Sequence, residues 1–475
     1  MTDRATDPDL GVRAGTTRDG VRSDRPDHEA GPGTVAHGVS VEARFDWGEF
    51  TERYWDRQPV LYKSVRPIPF EEGEVFQAAL RATHAPDPYP IIPSHTQFAV
   101  GRFQQTTPGG RLPRASDGTF EGYGRRLAAT DADVRSDGYA LIVHAFHGFH
   151  AGQWERERSF FAGLWERVGL PTTGAITTLF HGTYEHTPVG VHKDRFATFL
   201  FAVQGRKRMR FWTHRPWTHG ATTVLDYEPY LAESFTAEVE PGDLLYWPAG
   251  HYHVGETVGE SMATSVNVGV PREDHRAAYD LDDLLVEHDT HSLMDPDAGL
   301  ARLPAVPAPL SVPDPATAGL PLVFEQVLDA FGTYTDASRM RDRATVQSLR
   351  AWTAGGLRPA PRPEEPRVLR DDTVVRALAP ILWGETAQAR VCAVNGHATT
   401  TALSAAHVTR LLRLLDGPGT SVRDLLGPLT DEARAEDGMG GEEALPATRE
   451  GARRLLETLE SFRGVGRSGH RRRSR

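Results

Sequence analysis

Three residues of this sequence have the types and spacing that hold a divalent metal. His192 and Asp194 are separated by one residue, and in a β-strand residues i and i+2 project from the same face, so both can reach one ion while Lys193 turns away. A histidine on a neighbouring strand would complete a two-His, one-carboxylate triad that leaves the other face of an octahedral ion open. Alone, His-x-Asp says little, because a chain with 20 histidines contains about one such tripeptide by chance. The weight comes from a second block, EPGDLLYWPAGHYHVGE, in which a Pro-Gly-Asp turn, an apolar strand and a Pro-x-Gly loop deliver a histidine to the next strand. His251 and His253 both qualify, since they are two apart and share a face of any strand. Periodicity does not choose between them.

Short apolar runs punctuated by Gly, Pro and Asp must position these residues. YALIVHAF, GAITTLFHGTY, ATFLFAVQG, RKRMRFW, DLLYWP and SMATSVNVGV read as strands of a compact antiparallel barrel or jelly roll, and PVLYKSV as an earlier one. FDWGEFTERYW and QWERERSFFAGLWERVGL carry apolar residues at helical intervals. Residues 1–40 hold almost no large apolar side chain and are expected to be a disordered leader. From about 275 the character changes: DHRAAYDLDDLLVEH and PLVFEQVLDAFGTY read as helices separated by a Pro-rich stretch. GGLRPAPRPEEPRV then breaks the chain before a last unit of strand ARVCAVNG and helices SAAHVTRLLRLLDG, SVRDLLG and TREGARRLLETLESF. GMGG at 438–441 reads as a flexible turn.

The metal motifs resemble those of the JmjC-type oxygenases of the cupin superfamily, above all the ribosomal oxygenases and the asparaginyl hydroxylase of hypoxia-inducible factor. The shared features are His192-Lys193-Asp194, the step Gly205-Arg206-Lys207, and the block from Pro241-Gly242-Asp243 to Pro248-Ala249-Gly250-His251-Tyr252-His253. The resemblance implies an α+β chain with a double-stranded β-helix (jelly-roll) barrel over 41–275. A helical, dimer-forming region over 276–366 and a winged-helix-like unit over 367–465 would follow, with a basic disordered tail at 466–475. It implies Fe(II) held by His192, Asp194 and His253, the ligand falling three residues after the Gly, with His251 nearby or on the rim. It also implies 2-oxoglutarate as co-substrate. A carboxylate that loses water on entering a barrel needs a fixed cation, and of Arg206, Lys207, Arg208 and Arg210 it is Lys207 that matches the family position. Thr198 and Asn267 fall where the asparaginyl hydroxylase has polar groups around the co-substrate, Asn267 offset by one; the role of Thr187 stays open. His181 and His186 are expected to be structural or substrate-facing.

The implied reaction is hydroxylation of a protein or peptide side chain. Tailoring of a peptide natural product, methyl-lysine demethylation and a non-catalytic metal-binding scaffold are the alternatives. Composition narrows the partners. With 53 Lys+Arg against 64 Asp+Glu the net charge is −11, and the last unit mixes many acids with its arginines, which disfavours nucleic acid as a partner. The lone Cys392 excludes an intrachain disulfide and a cysteine-cluster metal site, and fits a reducing compartment. Neither a signal peptide nor a run of 18 apolar residues is seen, so the expected location is the cytoplasm. No P-loop, catalytic triad or nucleotide-binding glycine motif competes with the metal reading.

Overall fold

The computed structural model describes residues 38–85, 95–171, 174–259, 262–272, 337–387, 389–427 and 441–467, with backbone only at 339 and 441–447. The expected leader, the two helices DHRAAYDLDDLLVEH and PLVFEQVLDAFGTY, and most of GMGG lie outside the described residues.

Thirteen described strands precede residue 272: β1 (Ser40–Glu42), β2 (Val60–Tyr62), β3 (Thr96–Val100), β4 (Phe103–Gln104), β5 (Tyr139–His144), β6 (Ile176–Gly182), β7 (His192–Lys193), β8 (Phe196–Gln204), β9 (Lys207–Trp212), β10 (Phe235–Val239), β11 (Leu244–Trp247), β12 (Tyr252–Thr257) and β13 (Ala263–Pro271). They form a nine-stranded sheet of order β1-β2-β11-β8-β13-β6-β5-β3-β4 and a four-stranded sheet of order β10-β9-β12-β7. All the described pairings are antiparallel except β1 with β2. This is the expected jelly roll in an α+β chain.

Alternation along the strands builds two cores. Phe199 and Phe201 of β8 and Leu244 and Tyr246 of β11 face one side of the large sheet. There they meet helices α1 (Trp47–Arg53), α2 (Glu72–Thr83), α3 (Phe120–Thr130), α4 (Ala132–Asp137) and α5 (Ala151–Val168). Leu200 of β8 and Leu245 and Trp247 of β11 point the other way, into the space between the sheets, where they pack with Met209 and Phe211 of β9. Helix α1 begins where the Asp46 side chain accepts from Glu49 N, and α5 where His150 accepts from Gln153 N, each relieving an orphan backbone donor. α2, α3, α4 and β10 were not anticipated from the sequence.

Beyond residue 336, α6 (Ala337–Ala354), α7 (Ala405–Leu415) and α8 (Gly441–Ser461) accompany two three-stranded antiparallel sheets. These are β18-β14-β19 (Thr420–Ser421, Val374–Ala377, Val465–Arg467) and β15-β16-β17 (Leu382–Glu385, Arg390–Val394, His397–Thr401). The strand expected in ARVCAVNG is β16, the helices expected near 404 and 448 are α7 and part of α8, and 422–427 is a short helical turn. β19 takes Gly466 and Arg467 from the expected tail, because Val375–Ala377 offers them a ladder. Gly441 likewise belongs to α8 rather than to a turn. A separate core that includes Leu369, Leu411, Val422 and Leu456 holds this part together. Cys392 lies within it, fully buried, and burial pushes its thiol up to about 12.

Candidate metal and co-substrate site

His192 of β7 lies directly across the antiparallel ladder from His253 of β12. Asp194 follows β7, with one carboxylate oxygen 3.6 Å from His192 Nε2 and the other 3.5 Å from His253 Nε2. One ligand atom from each residue lies within 4.8 Å of the other two, the spacing that one shared ion requires. The imidazoles present their Nε2 atoms for a stated reason. His192 Nδ1 lies 2.9 Å from Gly190 O and His253 Nδ1 3.2 Å from His251 O. A carbonyl can only accept, so each Nδ1 carries the proton and each Nε2 keeps its lone pair.

Of the two histidines that periodicity does not separate, it is His253 that lies in the cluster. His251 precedes β12, its ring packs edge-on against Phe211 and Phe235, and its carbonyl orients His253. His181 faces away on β6, fully buried between Tyr139 and Thr264, and burial holds it at about 3. His186 is buried against Tyr227 with Nδ1 on Thr187 O, apart from the cluster. Burial, then the neighbouring His253, pushes His192 below its ordinary value. For Asp194 burial acts upward, but His253, then His192 and His144, in their protonated forms outweigh it and hold the carboxyl at about 2.

The three residues open onto a cavity of about 310 Å³ between the sheets that Lys207, Thr198 and Asn267 also line. Strand alternation sorts the run RKRMR. Lys207 and Met209 face the cavity, whereas Arg208 and Arg210 face outward and pair with Glu238 and Glu256, Arg210 Nε lying 2.8 Å from Glu256. Two glycines make room for this. At Gly205, between β8 and β9, φ is +68° and a Cβ would sit 2.2 Å from Met262 O. At Gly255 a Cβ would lie 2.8 Å from Lys207 Cε.

Lys207 is 3% exposed. Its Nζ donates to Ser265 Oγ at 3.0 Å and sits 4.6 Å over the Phe180 ring, and among the described residues no carboxylate pairs with it. Burial alone pushes it down to about 7. A buried ammonium facing a cavity without a counter-charge is costly unless an anion arrives. Asn267 Oδ1 and Thr187 Oγ1 are also buried without a protein partner. Two neutral imidazoles and one ionised carboxylate suit Fe(II), and the orphaned cation fits the far carboxylate of a dicarboxylate such as 2-oxoglutarate.

Several lining residues were not anticipated: Gln97, His144, Thr178, Phe180 and Met209. His144 Nδ1 lies 3.2 Å from Thr178 Oγ1, and its Nε2 3.4 Å from the Gln97 amide. Ser265, the partner of Lys207, could have been found from its parity with Asn267 on β13; Gln97 carried no local signal.

A model of the JmjC domain matches residues 170–275, which contain both metal-binding blocks and the lysine between them. This stretch of the chain is thus similar to JmjC domains. It is 25% identical over 242 residues to the ribosomal protein uL16 3-hydroxylase of Escherichia coli (strain K12), a match covering 49% of this chain and 55% of that protein, so it spans about half the length of this relative. Among solved structures, that of E. coli YcfD is 16% identical, covers 90% of this chain and 99% of its own, and has a TM-score of 0.43. The E. coli ribosomal oxygenase YcfD with cobalt and succinic acid is 14% identical over the same shares, with a TM-score of 0.42.

Proposed function

We propose that this protein is an Fe(II)- and 2-oxoglutarate-dependent hydroxylase that acts on a side chain of a protein or peptide. The observation that carries the reading is the coexistence, in one cavity, of an open His-Asp-His cluster and a buried lysine without a counter-ion. A metal-binding scaffold needs the first but not the second. The JmjC domain match and the partial identity to a ribosomal protein hydroxylase support the same reading.

When bound, Fe(II) and 2-oxoglutarate would supply the oxidative chemistry: dioxygen is consumed, a C–H bond becomes C–OH, and succinate and carbon dioxide are released. The chain's own task is positional. His192, Asp194 and His253 would hold the metal on one face, the Nε2 atoms of the two histidines aimed by the carbonyls of Gly190 and His251. Lys207 would bind the far carboxylate, with Thr198 and Asn267 nearby, and thereby set the orientation of the near end. Phe180, Met209 and Phe196 line the cavity and exclude water from it. No general base is needed.

The extra C-terminal part, read as winged-helix-like, suits a macromolecular substrate, and a homodimer through 276–366 with a cytoplasmic location completes the proposal. No described helix is long and apolar enough to cross a membrane. The test is succinate formation by the purified chain with Fe(II), ascorbate, 2-oxoglutarate and air. Turnover that requires iron and is lost in Asp194→Ala and Lys207→Ala is the expected result. Absence of both turnover and iron-dependent 2-oxoglutarate binding would overturn the proposal in favour of a scaffold.

A further inference from the structure

A second cavity, about 420 Å³, adjoins the first and shares His144, Ile176 and Phe196 with it. Its other wall comes from beyond residue 336: Ala351 and Ala354 of α6 and Leu357 of the following segment line it. That wall is fastened to the barrel. Ala175 N donates to Gly356 O at 2.7 Å and Arg358 N to Ala175 O at 3.0 Å, so the segment pairs with the chain just before β6. Arg158 of α5 donates to Asn395 Oδ1 at 2.9 Å while its guanidinium lies 4.7 Å over the Trp154 ring. The second cavity therefore has a fixed shape rather than one set by a loose neighbour.

We infer that this cavity is the docking groove for the polypeptide flanking the modified residue, and that it accepts an apolar side chain at one fixed position beside it. The inference rests on the hydroxylase reading and names its substrate's local chemistry. Three observations carry it. The groove adjoins the catalytic cavity and shares His144, Ile176 and Phe196 with it, so a chain laid in it would place its neighbour beside His144 on the side of the metal cluster. The lining is mainly apolar, at Ile176, which is 38% exposed, Phe196 and Ala351, with Gln347, Arg350 and Arg358 supplying polar groups among them. Its volume falls in the range of about 300–1,000 Å³ that binding pockets occupy, well above that of a packing defect.

The experiment offers the full chain, with Fe(II), 2-oxoglutarate and air, a degenerate peptide library, and reads hydroxylated sequences by mass spectrometry. The variants are Ala351→Leu and Ala351→Phe, which narrow the groove in two steps from a half-exposed helix face; a melting curve shows that each folds. Wild type is expected to select a large apolar residue at one offset from the hydroxylated position by at least tenfold. The preferred side chain should shrink in Ala351→Leu and the selection vanish in Ala351→Phe. Hydroxylated peptides with no flanking preference, or with one that neither variant moves, would overturn the groove and leave the hydroxylase standing. Succinate formation without any hydroxylated peptide would overturn it too, since its occupant is then not a peptide. Absence of both iron-dependent succinate formation and iron-dependent 2-oxoglutarate binding would remove the hydroxylase reading and the groove with it.

Discussion

Lys207 crosses the cavity wall at the place where Gly255 leaves a gap: a Cβ at 255 would stand 2.8 Å from Lys207 Cε and 3.3 Å from its Nζ. The glycine and the lysine act as one feature, because the ammonium reaches its position beneath the Phe180 ring only if residue 255 has no side chain.

Gly255→Ala should therefore push the lysine tip aside and weaken 2-oxoglutarate binding by about tenfold, or roughly 1.4 kcal/mol. Metal affinity should not change, since residue 255 faces Lys207 and not the His-Asp-His cluster. Titration calorimetry with Mn(II) first and 2-oxoglutarate second separates the two, and an unchanged 2-oxoglutarate affinity would sink the argument.

Lys207→Met should raise thermal stability while abolishing 2-oxoglutarate binding. The folded-state value of about 7 lies below the ordinary 10.5, so the unfolded chain binds more protons between these values and stability rises with pH across them. The penalty of the buried ammonium is thus full below about pH 7 and gone above 10.5, and the gain from Met should shrink over that window. Each kcal/mol relieved is worth on the order of 2–4 °C in Tm. Denaturation scans at pH 6.5 and 9.5 would test it, and an equal difference at both pH values would contradict it.

The same ionisation predicts how the co-substrate binds. A carboxylate favours the charged lysine, so binding should draw a proton from solution above about pH 7 and weaken progressively as pH rises through it. Calorimetry in buffers of different ionisation enthalpy counts that proton. In Lys207→Arg the uptake should disappear, since guanidinium stays charged throughout.

Metal affinity should follow the histidines and not the aspartate. Asp194 is held at about 2 and is ionised throughout the working range, whereas protonation of a ligating imidazole removes its lone pair. Mn(II) affinity should be flat above neutrality and fall with decreasing pH only below the ordinary histidine value, which for His192 is lowered first by burial. A fall already under way between pH 8 and 7 would argue against this donor set.

Glu256 anchors the outer face: it accepts from Arg210 Nε at 2.8 Å, from Arg208 at 3.3 Å and from Tyr227 at 3.0 Å. Glu256→Ala leaves Arg210 without its carboxylate, while Arg208 keeps Glu238, and should cost about 2 kcal/mol in chemical denaturation. Affinity for 2-oxoglutarate should hold, since residue 256 points away from the cavity.

The inner barrel was legible because period-two alternation and the metal spacing are local signals. Lys207 could be separated from Arg208 and Arg210 by parity alone once β9 was assumed. Parity could not separate His251 from His253; the turn at Pro248–Gly250 does so by keeping His251 out of the ladder. β10 was missed because FTAEV offers only Phe235, Ala237 and Val239 as an inward face, which short loops also show. α2 and α3 are amphipathic, yet the sheet they cover is built from residues distant in the chain, and no local pattern reports that. β14 pairs with Thr420–Ser421 and with Val465–Arg467, so its sheet exists only through contacts some 45 and 90 residues away.

The orientation of both metal-facing imidazoles by main-chain carbonyls has a consequence for how this site changes over time. Where a carboxylate side chain steers an imidazole, one codon change can release it; the carbonyl of His251 persists whatever side chain that position carries, whereas Gly190, at φ +73° and with a Cβ that would stand 2.4 Å from Val224 O, is held to glycine. Drift at residue 251 can alter the rim of the site while the aim of His253 survives. Related sequences should keep the spacing around the two histidines and a glycine at 190, and need not keep a histidine at 251.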